Sequence, residues 1–189
     1  MRKLVNQVFR WYLQQRYKDL QRIIQHPAET QRALLQQLIE ATKHTEWGKL
    51  YNYRNIRTPE DFSAQVPLQD YDSLKPYIRR MMHGEKDVLW GGQVRWFSKS
   101  SGTTSDKSKF IPVSTQNFKE CHIRGTWDTM TLFYHNRPDA RQFELKSMVM
   151  GGSLAKFDSN PSTLVGDVSA IMIQHMPVIG RPFYTPDRK

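Results

Sequence analysis

The chain has 189 residues, of which 28 are basic, 18 acidic and one is cysteine, for a formal net charge of +10. No apolar run approaches the ~20 residues that cross a bilayer and no hydrophobic signal core opens the chain, which argues against transmembrane and secreted classes. A lone Cys121 has no partner for an internal disulfide and fits a reducing compartment, so the expected location is cytoplasmic.

Leu4, Val5, Val8, Phe9, Tyr12, Leu13, Leu20, Ile23 and Ile24 recur mostly at three- and four-residue intervals, which predicts an amphipathic helix over 2–25. That segment also carries Arg2, Lys3, Arg10, Arg16, Lys18 and Arg22 against Asp19, a local balance of +5. His26-Pro27 ends it, and a second helix is expected over about 28–44, with Gly48 marking its exit. Thr58-Pro59-Glu60-Asp61 supplies a hydroxyl cap, a proline at the first helical position and acids in the first turn of a short helix. Tyr71 to Met82 reads as a further helix, started near Asp70 or Asp72 and stopped by Gly84, with Pro76 in its first turn or at a kink.

Beyond Val88 the pattern changes. Gly91-Gly92 reads as a turn, Val94 to Ser98 as a strand, Lys99 to Ser108 as a loop, and Phe110 to Val113 as a strand that Pro112 confines to an edge or an end. Ser114 opens a helix to about Tyr134. Phe143 to Met150 is the strongest strand signal, Val165 to Ile173 a weaker strand or short helix, and Pro177 to Lys189 carries no periodic element. Helices first and then strands mixed with helices predict an α/β or α+β class. Few strands are available to complete a sheet, so the chain reads as a piece of something larger.

The richest chemistry lies in Ser100 to Lys109. Five hydroxyl residues in a row broken by Gly102, then two lysines near its end, offer small side chains, many N–H and O–H donors and mobile positive charge, which is what polyphosphate needs. The run is not a Walker A loop, because the second glycine of that motif is replaced by Asp106. A flexible hydroxyl-rich surface loop is the bland alternative. Gly151-Gly152-Ser153-Leu154-Ala155 mimics a nucleophile elbow, but a true elbow opens a helix and the following residues read as loop. His26, His44, His83, His122, His135 and His175 show no metal spacing, so no metal ligand is assigned, and Cys121 beside His122 reads as ordinary helix.

The segment from Ser100 to Ser114, Ser-Ser-Gly-Thr-Thr-Ser-x-Lys-Ser-Lys-Phe-Ile-Pro-Val-Ser, resembles the first ATP-binding motif of the adenylate-forming superfamily. More narrowly it resembles the acyl-acid amido synthetases of the auxin-responsive Gretchen Hagen family in their bacterial form. Thr58-Pro59-Glu60-Asp61-Phe62, the run from Val66 to Asp72, Met150 to Ser153 and Gly166 to Ile171 are similar to successive parts of the same family's N-terminal domain. The resemblance implies that 1–189 is the N-terminal portion of the acyl-activating domain, with a C-terminal domain absent and the chain inactive alone. It implies a ligase that activates a carboxylic acid as an acyl-adenylate and passes it to an amine such as an amino acid, with ATP and Mg²⁺. Ser100, Ser101, Gly102, Thr103, Thr104 and Ser105 would line the phosphate loop, Lys109 would close it and Lys107 would flank it; no catalytic residue is assigned.

Asp106 departs from the glycine usual in the family. Aspartate tolerates left-handed backbone, but its carboxylate ~4 Å from a phosphate charge costs about 1 kcal/mol in water and about 4 at an effective dielectric near 20. The competing reading is a non-catalytic basic helical module in which Arg10, Arg16 and Lys18 meet an anionic membrane or nucleic acid, with Phe9, Trp11 and Tyr12 as apolar anchor. The ligase reading expects neither nucleic acid nor membrane as a partner.

Overall fold

The computed structural model describes residues 2–100, 108–176 and 178–185. Five helices come first: α1 (Arg2–Gln25), α2 (Pro27–Thr42), α3 (Glu46–Leu50), α4 (Pro59–Gln65) and α5 (Tyr71–Met82). Strands β1 (Trp96–Ser100) and β2 (Lys109–Val113) follow, then α6 (Thr115–Asn117), a π-helical stretch Phe118–Ile123 and α7 (Arg124–Asn136). The chain continues through β3 (Ser147–Met148), β4 (Leu154–Phe157), β5 (Asn160–Gly166), α8 (Val168–Gln174) and β6 (Tyr184–Thr185). The class is mixed α/β. The described residues fall into two compact units, one drawn from 1–26, 116–152 and 169–189 and the other from 27–115 and 153–168.

The second unit is built on a sheet of order β2-β1-β5-β4, with β1 antiparallel to β2 and parallel to β5. Pro112 stands on the edge strand, where a missing amide donor costs no ladder bond to a further strand. Phe97 of β1 is fully buried with Ile78, Met81 and Met82 of α5 and with Val88 and Val94. A second cluster joins Ile39, Trp47, Tyr53 and Ile56. Asp70 caps α5 by accepting from the Ser73 amide at 2.9 Å. Its end is a Schellman closure, in which Glu85 N–H reaches Arg80 O and Gly84 N–H reaches Met81 O while Gly84 sits at φ +98°. Arg80 of α5 meets Glu46 and Glu85, which push its guanidinium further toward the charged form.

In the first unit α1 packs along α7. Leu13, Tyr134 and Ala140 form the buried centre, and Phe9 stacks on Phe143 with ring centroids 4.1 Å apart. The Tyr134 hydroxyl donates to Asn6 Oδ1 at 2.6 Å, and burial raises its pKa. Three arginines of α1 are engaged here: Arg10 donates to Ala140 O, Arg2 to Glu144 O, and Arg16 pairs with Asp128 at 2.5 Å.

Several sequence expectations are corrected. The strand expected over 143–150 is a 3-10 turn, Gln142–Glu144, followed by only two β residues paired to β6. Leu145, Met148 and Met150 are exposed, so β-forming residues there have no apolar surface to cover and their propensity goes unused. Helix α2 ends at Thr42, and Gly48 lies inside α3, where the close approach of Thr42 O, 2.2 Å from a Cβ built there, requires glycine. Pro76 is in the second turn of α5. The segment 165–173 divides into the end of β5 and most of α8.

Two outcomes are expected from this packing. Gly48→Ala should cost about 1–3 kcal/mol through overpacking, whereas Gly125→Ala in α7, whose Cβ would meet nothing within 4 Å, should gain about 0.5–1 kcal/mol of helix propensity; urea unfolding of the two variants checks both signs. Helix α4 starts in a capping box, Asp61 accepting from Arg57 and Thr58 amides and Thr58 Oγ1 accepting from Asp61 N–H. Those amides hold the Asp61 carboxyl below its usual value. A depressed folded pKa gives stability that is present above the unfolded value and lost as pH falls through the folded one. Thermal midpoints measured from neutral pH down past pH 4 should therefore fall less steeply in Asp61→Asn than in the parent chain.

Candidate functional site

The hydroxyl-rich run follows the carboxyl end of β1, an inner strand of the sheet. Strand β1 has partners on both sides through Trp96, Phe97 and Ser98, and Phe97 is buried; Lys99 and Ser100 then run past the last β5 pairing, Ser98 with Gly166. Their remaining partners are Phe110 and Lys109 of β2. Ser100 and Lys109 are therefore opposite one another, the first and last residues of the predicted cradle brought together at its mouth. Ser101, Gly102, Thr103, Thr104, Ser105 and Lys107, with Asp106, lie outside the described residues.

Because β1 and β5 are parallel, both carboxyl ends face the same side of the sheet, the side on which open α/β sheets place ligands. After β5 come Asp167 and α8. Asp167 Oδ2 accepts the Ser153 amide at 3.0 Å, and the Asp167 amide returns a bond to Ser153 O. Gly166 is obligatory for that closeness, since a Cβ on it would stand 2.0 Å from Ser153 O. Ser153 and Asp167, one from each of two segments singled out in the sequence, are thus joined at the end of β5.

A third singled-out segment, 66–72, contributes Tyr71. Its hydroxyl oxygen accepts the Phe110 amide at 2.8 Å, and the Lys109 ammonium lies 5.4 Å from its ring centroid. Sequence reasoning used Tyr71 only as the start of a helix. The signal that could have found it was the co-occurrence of 66–72 with the loop motif in the same family pattern.

Chemically, the mouth combines a strand-end hydroxyl, an exposed lysine and edge-strand backbone, which suits an anionic phosphate group. Among the described residues no group of three or more His, Cys, Asp or Glu is placed to hold a metal ion. Cys121 is exposed in the π-helical stretch. Ser153 leads into β4, a strand, and so lacks the strand-to-helix turn of a nucleophile elbow. No helix of the described residues is long and apolar enough to cross a membrane. On α1, Arg10 and Arg16 face protein partners, Phe9 is stacked within the unit and Tyr12 meets Trp127 edge-on, while Trp11 is exposed.

Comparison with known proteins bears on the family and the fold. The profile of the GH3 family N-terminal domain matches residues 16–188. A jasmonoyl–L-amino acid synthetase of Nicotiana attenuata, JAR6, is 27% identical over 118 residues, covering 61% of this chain and 20% of that protein. A putative indole-3-acetic acid-amido synthetase of Arabidopsis thaliana, GH3.9, is 33% identical over 98 residues, 51% of this chain and 16% of that protein. The solved structure of a GH3.15 acyl acid amido synthetase superposes with a TM-score of 0.72 at 19% identity, over 85% of this chain and 29% of that one. The chain spans a fifth or less of the length of these two curated relatives.

The strand after Ser153 predicts that a fluorophosphonate probe leaves this serine unmodified. Intact-mass analysis after incubation checks this, and a single adduct mapped to Ser153 would contradict it.

Proposed function

The chain belongs to the GH3 family, and from that premise we propose that it is the N-terminal portion of the acyl-activating domain of an ATP-dependent acid-amido synthetase. The observation that carries the reading is the junction of Ser100 with Lys109 at the carboxyl end of β1, from which the hydroxyl-rich run departs. The substrates of the proposed reaction are a carboxylic acid, ATP and an amine such as an amino acid. We further propose the bacterial form of the family, which agrees with identities of only 27% and 33% to the two plant proteins.

In the first step a carboxylate oxygen forms a bond to the α-phosphorus of ATP while the bond to the pyrophosphate oxygen breaks, giving acyl-adenylate and pyrophosphate. In the second the amine nitrogen bonds to the acyl carbon, the carbon–oxygen bond to AMP breaks, and a proton leaves the nitrogen. The work proposed for this chain belongs to the first step. Ser100, Ser101, Gly102, Thr103, Thr104 and Ser105 would surround the leaving pyrophosphate with hydroxyl and backbone donors, and Lys109, flanked by Lys107, would offset the charge that grows on it. Mg²⁺ would accompany ATP in the family reading; among the described residues no group of three or more His, Cys, Asp or Glu is placed to hold it, and no step is routed through it.

The competing module reading loses its main support, because Arg10 and Arg16 are occupied within their own unit. Lys18, whose ammonium reaches only as far as Gln15 on the same helix, is the informative charge on α1.

The test is ATP–pyrophosphate exchange with a panel of carboxylic acids, on these 189 residues and on the same chain extended along any continuing reading frame. We expect exchange in the extended protein and none in the 189 residues by themselves. Lys109→Ala should lower exchange about 100-fold, in the range for loss of one charge-stabilising donor, while Lys18→Gln leaves it unchanged. Asp106→Gly should raise ATP affinity. Acid-independent nucleotide turnover, or equal exchange in the Lys109→Ala variant, would refute the assignment.

A further inference from the structure

Resting on the phosphate-loop reading, we propose that Tyr71 is a positioning residue for the nucleotide: its hydroxyl fixes the return stem of the loop and its ring holds the closing lysine in place. The two contacts fall on consecutive residues. Tyr71 Oη accepts the Phe110 amide at 2.8 Å, and Lys109 Nζ stands 5.4 Å from the ring centroid, inside the range of a cation–π attraction. Tyr71 can hold both because it is itself held. It is the first residue of α5, next to the cap Asp70, and its ring packs with Phe110 against the cluster around Phe97.

The arrangement answers two physical problems at the mouth. Strand β2 is an edge, and on such a strand every second amide faces away from the ladder; the Phe110 amide is satisfied by Tyr71 rather than by water. Lysine is a flexible point charge on a four-carbon stem, and at an exposed position it samples many directions. The ring limits that sampling before any phosphate arrives, and the attraction is weak enough at an exposed site to be exchanged for an anion. Phenylalanine would keep the second function and lose the first; leucine would lose both.

The experiment is carried out on the extended protein of the exchange test, with ATP as probe, reading three quantities: ATP affinity by titration calorimetry, Phe110 amide exchange, and the ring-current shift of the Lys109 ε-methylene protons. In Tyr71→Leu the methylene shift should vanish, amide exchange should speed, and ATP affinity should fall about three- to tenfold. Tyr71→Phe should recover the methylene shift and part of the affinity but not the amide protection. In a Lys109→Gln background Tyr71→Leu should lose only the smaller part of the affinity that Tyr71→Phe loses in the parent, since the ring then has no ammonium to place and only the hydroxyl contact remains to be removed.

An undiminished loss in that background, or unchanged ATP affinity in Tyr71→Leu while shift and exchange both respond, would overturn the positioning role. A parent chain that shows the shift and the protected amide yet binds no ATP would instead overturn the phosphate reading, and the role with it. Should Tyr71→Leu fail to fold, the Tyr71→Phe and Lys109→Gln pair decides: an unaltered Phe110 exchange rate in Tyr71→Phe contradicts the hydroxyl contact.

Discussion

Everything at the mouth of the candidate site depends on strand β1 being paired on both sides. The parallel ladder to β5 fixes the direction in which β1 ends, and the antiparallel ladder to β2 fixes where the chain returns. A register slip of one residue would turn Phe97 out of the core and reverse the face on which every later residue stands. With Phe97 fully buried, that slip is strongly opposed, so a residue three places before Ser100 sets the position of Ser100 and, through the ladder, of Lys109 opposite it. The loop's chemistry sits in the loop, but its placement is paid for in the sheet.

Around that strand the fold adds constraints rather than catalytic groups. Asp70 fixes the start of α5, α5 brings Tyr71 to the edge of β2, and the Schellman closure at Gly84 returns the chain toward Val88 and Val94, which fill the core beside Phe97. Arg80, between Glu46 and Glu85, ties α3 to α5, and Glu46 and Glu85 are held below their usual carboxyl range chiefly by its hydrogen bonds. These groups are exposed, so their value is orientation more than stability.

The readable parts of the sequence were those governed by local rules. The helix of 2–25, the hydroxyl cap at Thr58 and the edge placement of Pro112 follow from periodicity, capping and a missing donor, and each is found. The family was legible in the order of residues from Ser100 to Ser114, whereas composition alone offered a phosphate loop and a bland surface loop side by side. What was hidden depends on distant partners. Gly48 looked like a stop signal because nothing nearby shows that Thr42 O would occupy its Cβ position. The run 143–150 looked like the best strand because propensity ignores whether its side chains find cover. Tyr71 was invisible as a site residue because its partners are 38 and 39 positions away.

Net charge is the instructive failure. The excess of basic residues on α1 invited a surface-binding reading, yet Arg2 and Arg10 donate to backbone carbonyls and Arg16 meets both a carbonyl and Asp128. Arginine suits that task, since its fork satisfies carbonyl oxygens at the ends of segments that have no amide left to offer. A charge used in this way is unavailable to a ligand, however strongly it weighs in the total. The lysine proposed to meet phosphate is distinguished by position, at a strand end, beside an aromatic ring and opposite a serine, and a sum over the chain carries none of that information.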